Sequence, residues 1–237
     1  MATTTTLGYD DLPPLLTRLT GDEKHDRSSF STLDVLWVLY DRVLGEDDRF
    51  ILSKGHGPAA YYAVLAAKGL LPTELLDDLG AFDSPLGHHP DRILVPGAEF
   101  SSGSLGHGLA VAAGSALTGR RVFCLLGDAE LDEGSNWEAV QYAGRVGLSS
   151  LTAIVIDNDS SFHGWPVAGS VAGKADDARP EDRGAFGTAG GIERRFTLEG
   201  WAALRVDGRD HEQLEAALMP DPAGERPRCI VAKVEKK

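Results

Sequence analysis

Residues 121–164 read RVFCLLGDAELDEGSNWEAVQYAGRVGLSSLTAIVIDNDSSFHG. The apolar run Val122 to Leu126 stops at Gly127-Asp128, and a second run, Leu151 to Ile156, stops at Asp157-Asn158. Between them an amphipathic segment extends from about Asp132 to Val146. Short apolar runs closed by turn residues read as buried strands, and the periodic segment between them as a helix. This strand–helix–strand order puts Asp128 and Asn158 at the C-terminal tips of two parallel strands, the edge at which such sheets bind ligands. A carboxylate, an amide oxygen and a nearby main-chain carbonyl suit a hard divalent cation such as Mg²⁺, which also takes phosphate oxygens. Asp and Asn favour turns on their own account. It is their joint placement that carries the ligand reading.

Outward from this unit, strands and helices alternate. Arg49–Ser53 is a short strand leading into the turn Lys54-Gly55-His56-Gly57, and Pro58–Lys68 is an Ala/Tyr-rich helix. Helices are expected over Asp10–Leu19, Ser31–Leu44, Thr73–Leu79, Ser102–Thr118 and His211–Leu218, and strands over Trp201–Val206 and Arg228–Val234. Residues 1–9 read as a loose tail and Gly21–Ser29 as a polar turn region. Leu79–Ser101 and Pro166–Gly191 read as loops. The expected architecture is one domain over residues 1–237, a three-layer α/β/α fold with a mostly parallel sheet.

The formal net charge of −13 argues against a nucleic-acid surface and, more weakly, against an anionic membrane. Metal ions and helix N-termini can still supply local positive potential for a phosphate ligand. The two cysteines, Cys124 and Cys229, lie in apolar runs and read as buried thiols of a reducing compartment. The N-terminal residues lack a basic start and an apolar core, and no run approaches the ~18 residues of a membrane span, so a cytoplasmic protein is expected.

Histidines punctuate the expected loops. His56 stands between two glycines at a strand end, which favours a ligand-facing imidazole. His25 and the pair His88-His89 lie in polar loops where simple exposure competes, and His107 sits at a helix start where it could merely cap. After Asp128 come Glu130, Asp132, Glu133 and Glu138. Four acids near a helix start complement its dipole. A buried one would be a proton carrier or an interface residue, and the sequence leaves that choice open.

Three blocks taken in order resemble the transketolase family: DRFILSKGHG at 48–57, SSGSLGHGLAVAAG at 101–114, and GDAELDEGSNWEA at 127–139 followed by Asp157-Asn158. EGWAALRVDGRDHEQL at 199–214 adds a fourth. The resemblance is to the N-terminal, pyrophosphate-binding subunit of a split transketolase. It implies thiamine diphosphate held through Mg²⁺ (or Ca²⁺ or Mn²⁺) by Asp128, Asn158 and the main-chain carbonyl of Ser160. It implies Gly127 and Ala129 packing the diphosphate, Ala129 standing where the family motif has glycine. His56 would lie beside the diphosphate and thiazolium, and Gly103, Ser104 and Leu105 at the pyrimidine end. His25 and His89 would face the substrate, and Glu133 and Glu138 a dimer interface.

The activity so implied is transfer of a two-carbon ketol unit from a ketose or ketose phosphate to an aldehyde acceptor. The activating carboxylate would come from a pyrimidine-domain partner subunit, in a heterotetramer inactive without it. Two alternatives remain at this point: a specialised-metabolism enzyme moving an acyl or ketol unit from a 2-oxo donor to a non-sugar acceptor, and a non-catalytic structural or regulatory subunit. The second has no need of Asp128, Asn158, His56 and Glu133.

Overall fold

In the computed structural model, residues 7–21, 26–160, 191–221 and 224–236 are described, residues 26 and 27 by their backbone alone. Five strands, β1 (Arg49–Leu52), β2 (Val122–Gly127), β3 (Leu151–Asp157), β4 (Ala202–Asp207) and β5 (Arg228–Lys233), form one sheet in the order β1-β2-β3-β5-β4. All four pairings are parallel. Every residue of β2 and β3 is buried, the signature of central strands covered on both faces.

Alternate strand residues feed two cores. Phe123, Leu125, Ile154, Ile156, Ile230 and Ala232 face a layer made by α1 (Leu12–Leu16), α3 (Leu33–Val38), α4 (Ala59–Ala67) and α8 (His211–Leu218). Cys124, Leu126, Ala153, Val155, Cys229 and Val231 face α5 (Gly108–Ala116), α6 (Gly134–Val146) and α7 (Gly191–Leu198). This is the expected three-layer arrangement. The second layer is closed by the fully buried Trp201, whose indole N–H donates to the Val140 carbonyl at 2.8 Å and whose ring meets Phe196 edge-on at 5.2 Å.

Several elements differ from the sequence reading. The long helix starts at Gly108, not Ser102, because Gly103 (φ 138°) and Gly106 (φ 89°) occupy the left-handed region that a right-handed helix excludes. The helix expected over 31–44 is α-helical only to Val38 and ends in a π turn, Leu39–Val43, closed by the Leu44 amide on the Leu39 carbonyl at 2.9 Å. Asp10–Leu19 divides into a 3₁₀ turn, Tyr9–Asp11, and α1, with Pro13 and Pro14 in the first turn as expected. A 3₁₀ turn, Ala129–Asp132, likewise precedes α6, which ends at Gly147 in the left-handed conformation. Two short helices were not anticipated, α2 (Asp26–Phe30) and α7.

Residues 7–9, assigned to the tail by sequence, are held down: the Leu7 amide donates to the Ala67 carbonyl at 3.1 Å and the Tyr9 hydroxyl to Asp34 at 2.6 Å. Asp34 is buried and also receives Arg209 and contacts His211 Nε2. Burial, reinforced by the bond to the Asp34 carboxylate, pushes the Tyr9 phenol up to about 12. A raised phenol contributes stability that is whole below the ordinary tyrosine value and lost as pH rises through 12. Tyr9→Phe is therefore expected to flatten the alkaline fall in thermal midpoint between about pH 10 and 12. An unchanged alkaline limb would show that Tyr9 is not tethered to Asp34.

Candidate functional site

The C-terminal ends of β1, β2 and β3 gather the residues singled out by sequence. After β1, the Ser53 and Lys54 amides both donate to the Leu125 carbonyl, which fastens the following turn to β2. Gly55 lies so close to the 102–107 segment that a Cβ there would come 2.6 Å from the Gly103 nitrogen and 2.7 Å from Ser102 Oγ. Gly103 in turn lies against the His89 ring, which a Cβ would meet at 3.1 Å. The His89 and His56 rings stand edge to face with centroids 5.4 Å apart. The structure thus brings His56, His89 and Gly103 together, with Ser104 exposed and Leu105 half-buried beside them.

At the other end of the same edge, the Asp128 amide donates to the Ile156 carbonyl, so β2 and β3 deliver their tips side by side. Asp128 is 2% exposed, and Asn158 1%. The Ser160 amide donates to one Asp128 oxygen at 2.7 Å and the Ser160 hydroxyl to the other at 2.5 Å. The turn between the strand tip and Ser160 passes through Asp159 with φ 53°, a left-handed position uncommon outside glycine. Burial raises the Asp128 carboxyl above the ordinary carboxylate range, outweighing the pull of the two Ser160 bonds.

Asn158 Oδ1 is buried without a hydrogen-bond partner among the described residues. An orphaned buried oxygen costs free energy unless something beyond the described residues pairs with it. A cation does so, and it would also compensate the buried Asp128 charge. The donor set, oxygen only, is that of Mg²⁺ or Ca²⁺. The residues fit the expected metal.

Other predicted residues are placed as follows. Ala129 is half-buried immediately after Asp128. Gly127 is buried and covered by the Lys54 stem, which a Cβ would meet at 3.2 Å. Glu133 is exposed but backs onto Gly106, and Glu138 is exposed on α6. His107 precedes α5 without a side-chain capping bond. His25 lies outside the described residues, as does most of the 166–191 loop.

Sequence reasoning did not single out four contributors. Ser28 and Ser29 of α2 donate their hydroxyls to the His56 and Gly57 carbonyls at 2.8 and 2.5 Å. Lys54 is buried and donates Nζ to the Ser28 carbonyl at 2.7 Å and the Ser28 hydroxyl at 2.6 Å. Glu130, one of four acids near the helix start, is the one that is buried. Paired serines in a polar stretch carry no local signal of a contact nearly thirty residues ahead. A cavity of about 570 Å³ lined by Tyr9, Phe30, Leu33, Asp34, Arg209 and His211 includes none of the predicted site residues.

Fold and site define a parallel α/β chain with an oxygen-rich cradle at the C-terminal tips of its strands. The family model described as "Transketolase, thiamine diphosphate binding domain" matches residues 38–123. A protein of Phocaeicola vulgatus, named as one of the subunits of an apulose-4-phosphate transketolase, is 30% identical over 228 residues, which cover 90% of this chain and 75% of that one. A Rhodococcoides fascians protein named ferredoxin fas2 is 47% identical over 248 residues, covering 98% of this chain and 74% of its own length. The transketolase of Leishmania mexicana superposes with a TM-score of 0.66 at 21% identity, over 96% of this chain and 37% of that one. The chain spans little more than a third of the length of that solved relative.

The chain belongs to the transketolase family. Its fold is the family's thiamine-diphosphate-binding α/β/α fold. The ferredoxin name of one relative has no counterpart in the residues here, because an iron–sulfur cluster takes about four ligands and the two cysteines are both buried in the apolar core.

Proposed function

We propose that this chain is the diphosphate-binding subunit of a two-component transketolase, moving a two-carbon ketol unit from a ketose phosphate to an aldehyde acceptor. The observation that carries the reading is the buried Asn158 Oδ1, without a hydrogen-bond partner among the described residues, beside buried Asp128 at adjacent strand tips. Asp128 and Asn158, with the Ser160 carbonyl, would hold Mg²⁺ on the diphosphate, and Gly127 and Ala129 would pack against it. When bound, thiamine diphosphate supplies the carbanion and the electron sink. Gly103, Ser104 and Leu105 would line the pyrimidine end of the cofactor, and glycine at 103 lets the chain come close to His89. His56 and His89, already ring to ring, would orient the substrate and carry protons at its carbonyl and hydroxyl groups, with His25 as a third. Glu133 and Glu138, both exposed, would face a neighbouring chain.

The Phocaeicola relative is named as one subunit of its transketolase, which supports a partner chain here. That partner would be a pyrimidine-domain protein supplying the activating carboxylate in a heterotetramer. Among the described residues no helix is long and apolar enough to cross a membrane; the proposed enzyme is a cytoplasmic one working on small molecules. The test mixes this full chain with a pyrimidine-domain protein, Mg²⁺ and thiamine diphosphate. Turnover is expected with a ketose phosphate donor and an aldose acceptor, only when both chains are present. Absence of turnover from the mixture, or turnover with a 2-oxo acid alone, would overturn the proposal.

A further inference from the structure

Glu130 is 1% exposed, and its carboxylate accepts from residues outside α6 rather than from the first-turn amides a dipole-capping acid would serve. One oxygen accepts the Ser53 hydroxyl at 2.5 Å and the Gly106 amide at 2.9 Å. The other accepts the Gly127 amide at 3.3 Å. Ser53 Oγ passes the connection on by accepting the Gly108 amide at 3.1 Å. The Glu130 backbone is pinned as well, its carbonyl receiving Asn136 Nδ2 at 2.7 Å.

The three donors belong to three separate segments. Ser53 directly follows β1 and precedes His56, Gly106 belongs to the approach to α5 that carries Gly103 to Leu105, and Gly127 ends β2 and precedes Asp128. The α5 approach is packed tightly against its surroundings: a Cβ at Gly106 would come 2.8 Å from Glu133 Cβ, and one at Gly108 would overlap Ser53. A core filler would need volume only, and a solvated cap would need neither oxygen buried.

We propose that Glu130 is a positioning residue that holds the three strand-tip segments of the cofactor cradle in register with one another. The proposal rests on the diphosphate-site reading, and acts through Gly106, Gly127 and Ser53 rather than by touching the cofactor. Glutamine at 130 keeps the shape but turns an amide toward one of the donors, so at least one segment loses its acceptor.

The test compares the full wild-type chain with Glu130→Gln, Ser53→Ala and Leu214→Ala, the last being a core truncation in α8 against the opposite face of the sheet. Amide exchange at Gly106 and Gly127 is expected to speed up by about tenfold in Glu130→Gln relative to Ile230 in β5, since exchange follows local opening. Equal rates at all three would overturn the proposal. Binding of thiamine diphosphate with Mg²⁺, measured by titration calorimetry below the unfolding range, is expected to weaken by about tenfold in Glu130→Gln and less in Ser53→Ala. Leu214→Ala, though less stable, should bind as wild type. A matching loss in Leu214→Ala would reduce Glu130 to a general stability residue and overturn the proposal. Absence of binding by the wild type would instead sink the diphosphate reading, with amide exchange still deciding whether Glu130 ties the segments together.

Discussion

Asp128→Asn is expected to weaken Mg²⁺-dependent binding of thiamine diphosphate by at least about a hundredfold, or about 2.7 kcal/mol. The reason lies in charge, not shape. Asparagine keeps the volume and one oxygen of Asp128, and so keeps the bond from the Ser160 amide. It removes the only side-chain carboxylate among the three expected ligands, and hard cations depend on that charge. Because burial already disfavours the Asp128 anion in the metal-free chain, the amide should leave thermal stability unchanged or slightly higher. The expected pair of results is thus lost affinity with a retained thermal midpoint, read by titration calorimetry with and without Mg²⁺ and by thermal unfolding. Unaltered affinity would refute the metal assignment, and a collapsed midpoint would show that Asp128 is structural.

The second large effect concerns stability. Gly144 lies in the last turn of α6, and a Cβ on it would overlap the Glu199 carbonyl oxygen and press on Trp201. The obstacle is backbone, and behind it stands the fully buried Trp201, so neither can yield cheaply. Gly144→Ala should therefore cost about 3 kcal/mol despite alanine's better helix propensity, an overpacking penalty at the upper end of the usual range. For a chain of this size that is a fall of about 6–12 °C in midpoint. Gly114→Ala is the matched control, since Gly114 lies in α5 with nothing within 4 Å of its would-be Cβ. There the same substitution should stabilise by about 0.5–1 kcal/mol. A loss at both positions, or at neither, would refute the packing argument.

The contrast between these glycines marks the limit of what sequence patterns reveal. The two central strands were legible because a strand buried on both faces must be apolar at every position, and the Asp and Asn that stop those runs are local features too. The parallel architecture followed from the alternation of elements. The start of α5 was not legible: Ser102 to His107 carries small residues that would suit a helix, and only the left-handed torsions at Gly103 and Gly106 divert it. Nor was α2, five residues long and secured by serine hydroxyls on the His56 and Gly57 carbonyls across a sequence gap that no window spans. Glu130 shows the same limit in the site itself. Four acids looked alike in the sequence, and burial against β1 and the α5 approach singles out one of them.

The order of the strands has a consequence for how the chain acquires its shape. No neighbours in this sheet are joined by a hairpin, so each pairing must close a long loop, at a cost that grows with its length. Residue 49 pairs with 122 and residue 152 with 228, whereas 122 pairs with 151 across the single helix α6. The β2–α6–β3 unit is thus among the least costly parts of the sheet to close, and low contact order favours early formation. That unit carries Asp128 and Asn158 at its tips. The segments bearing His56 and His89 join this unit only through the longer β1–β2 closure, so they are expected to order after it.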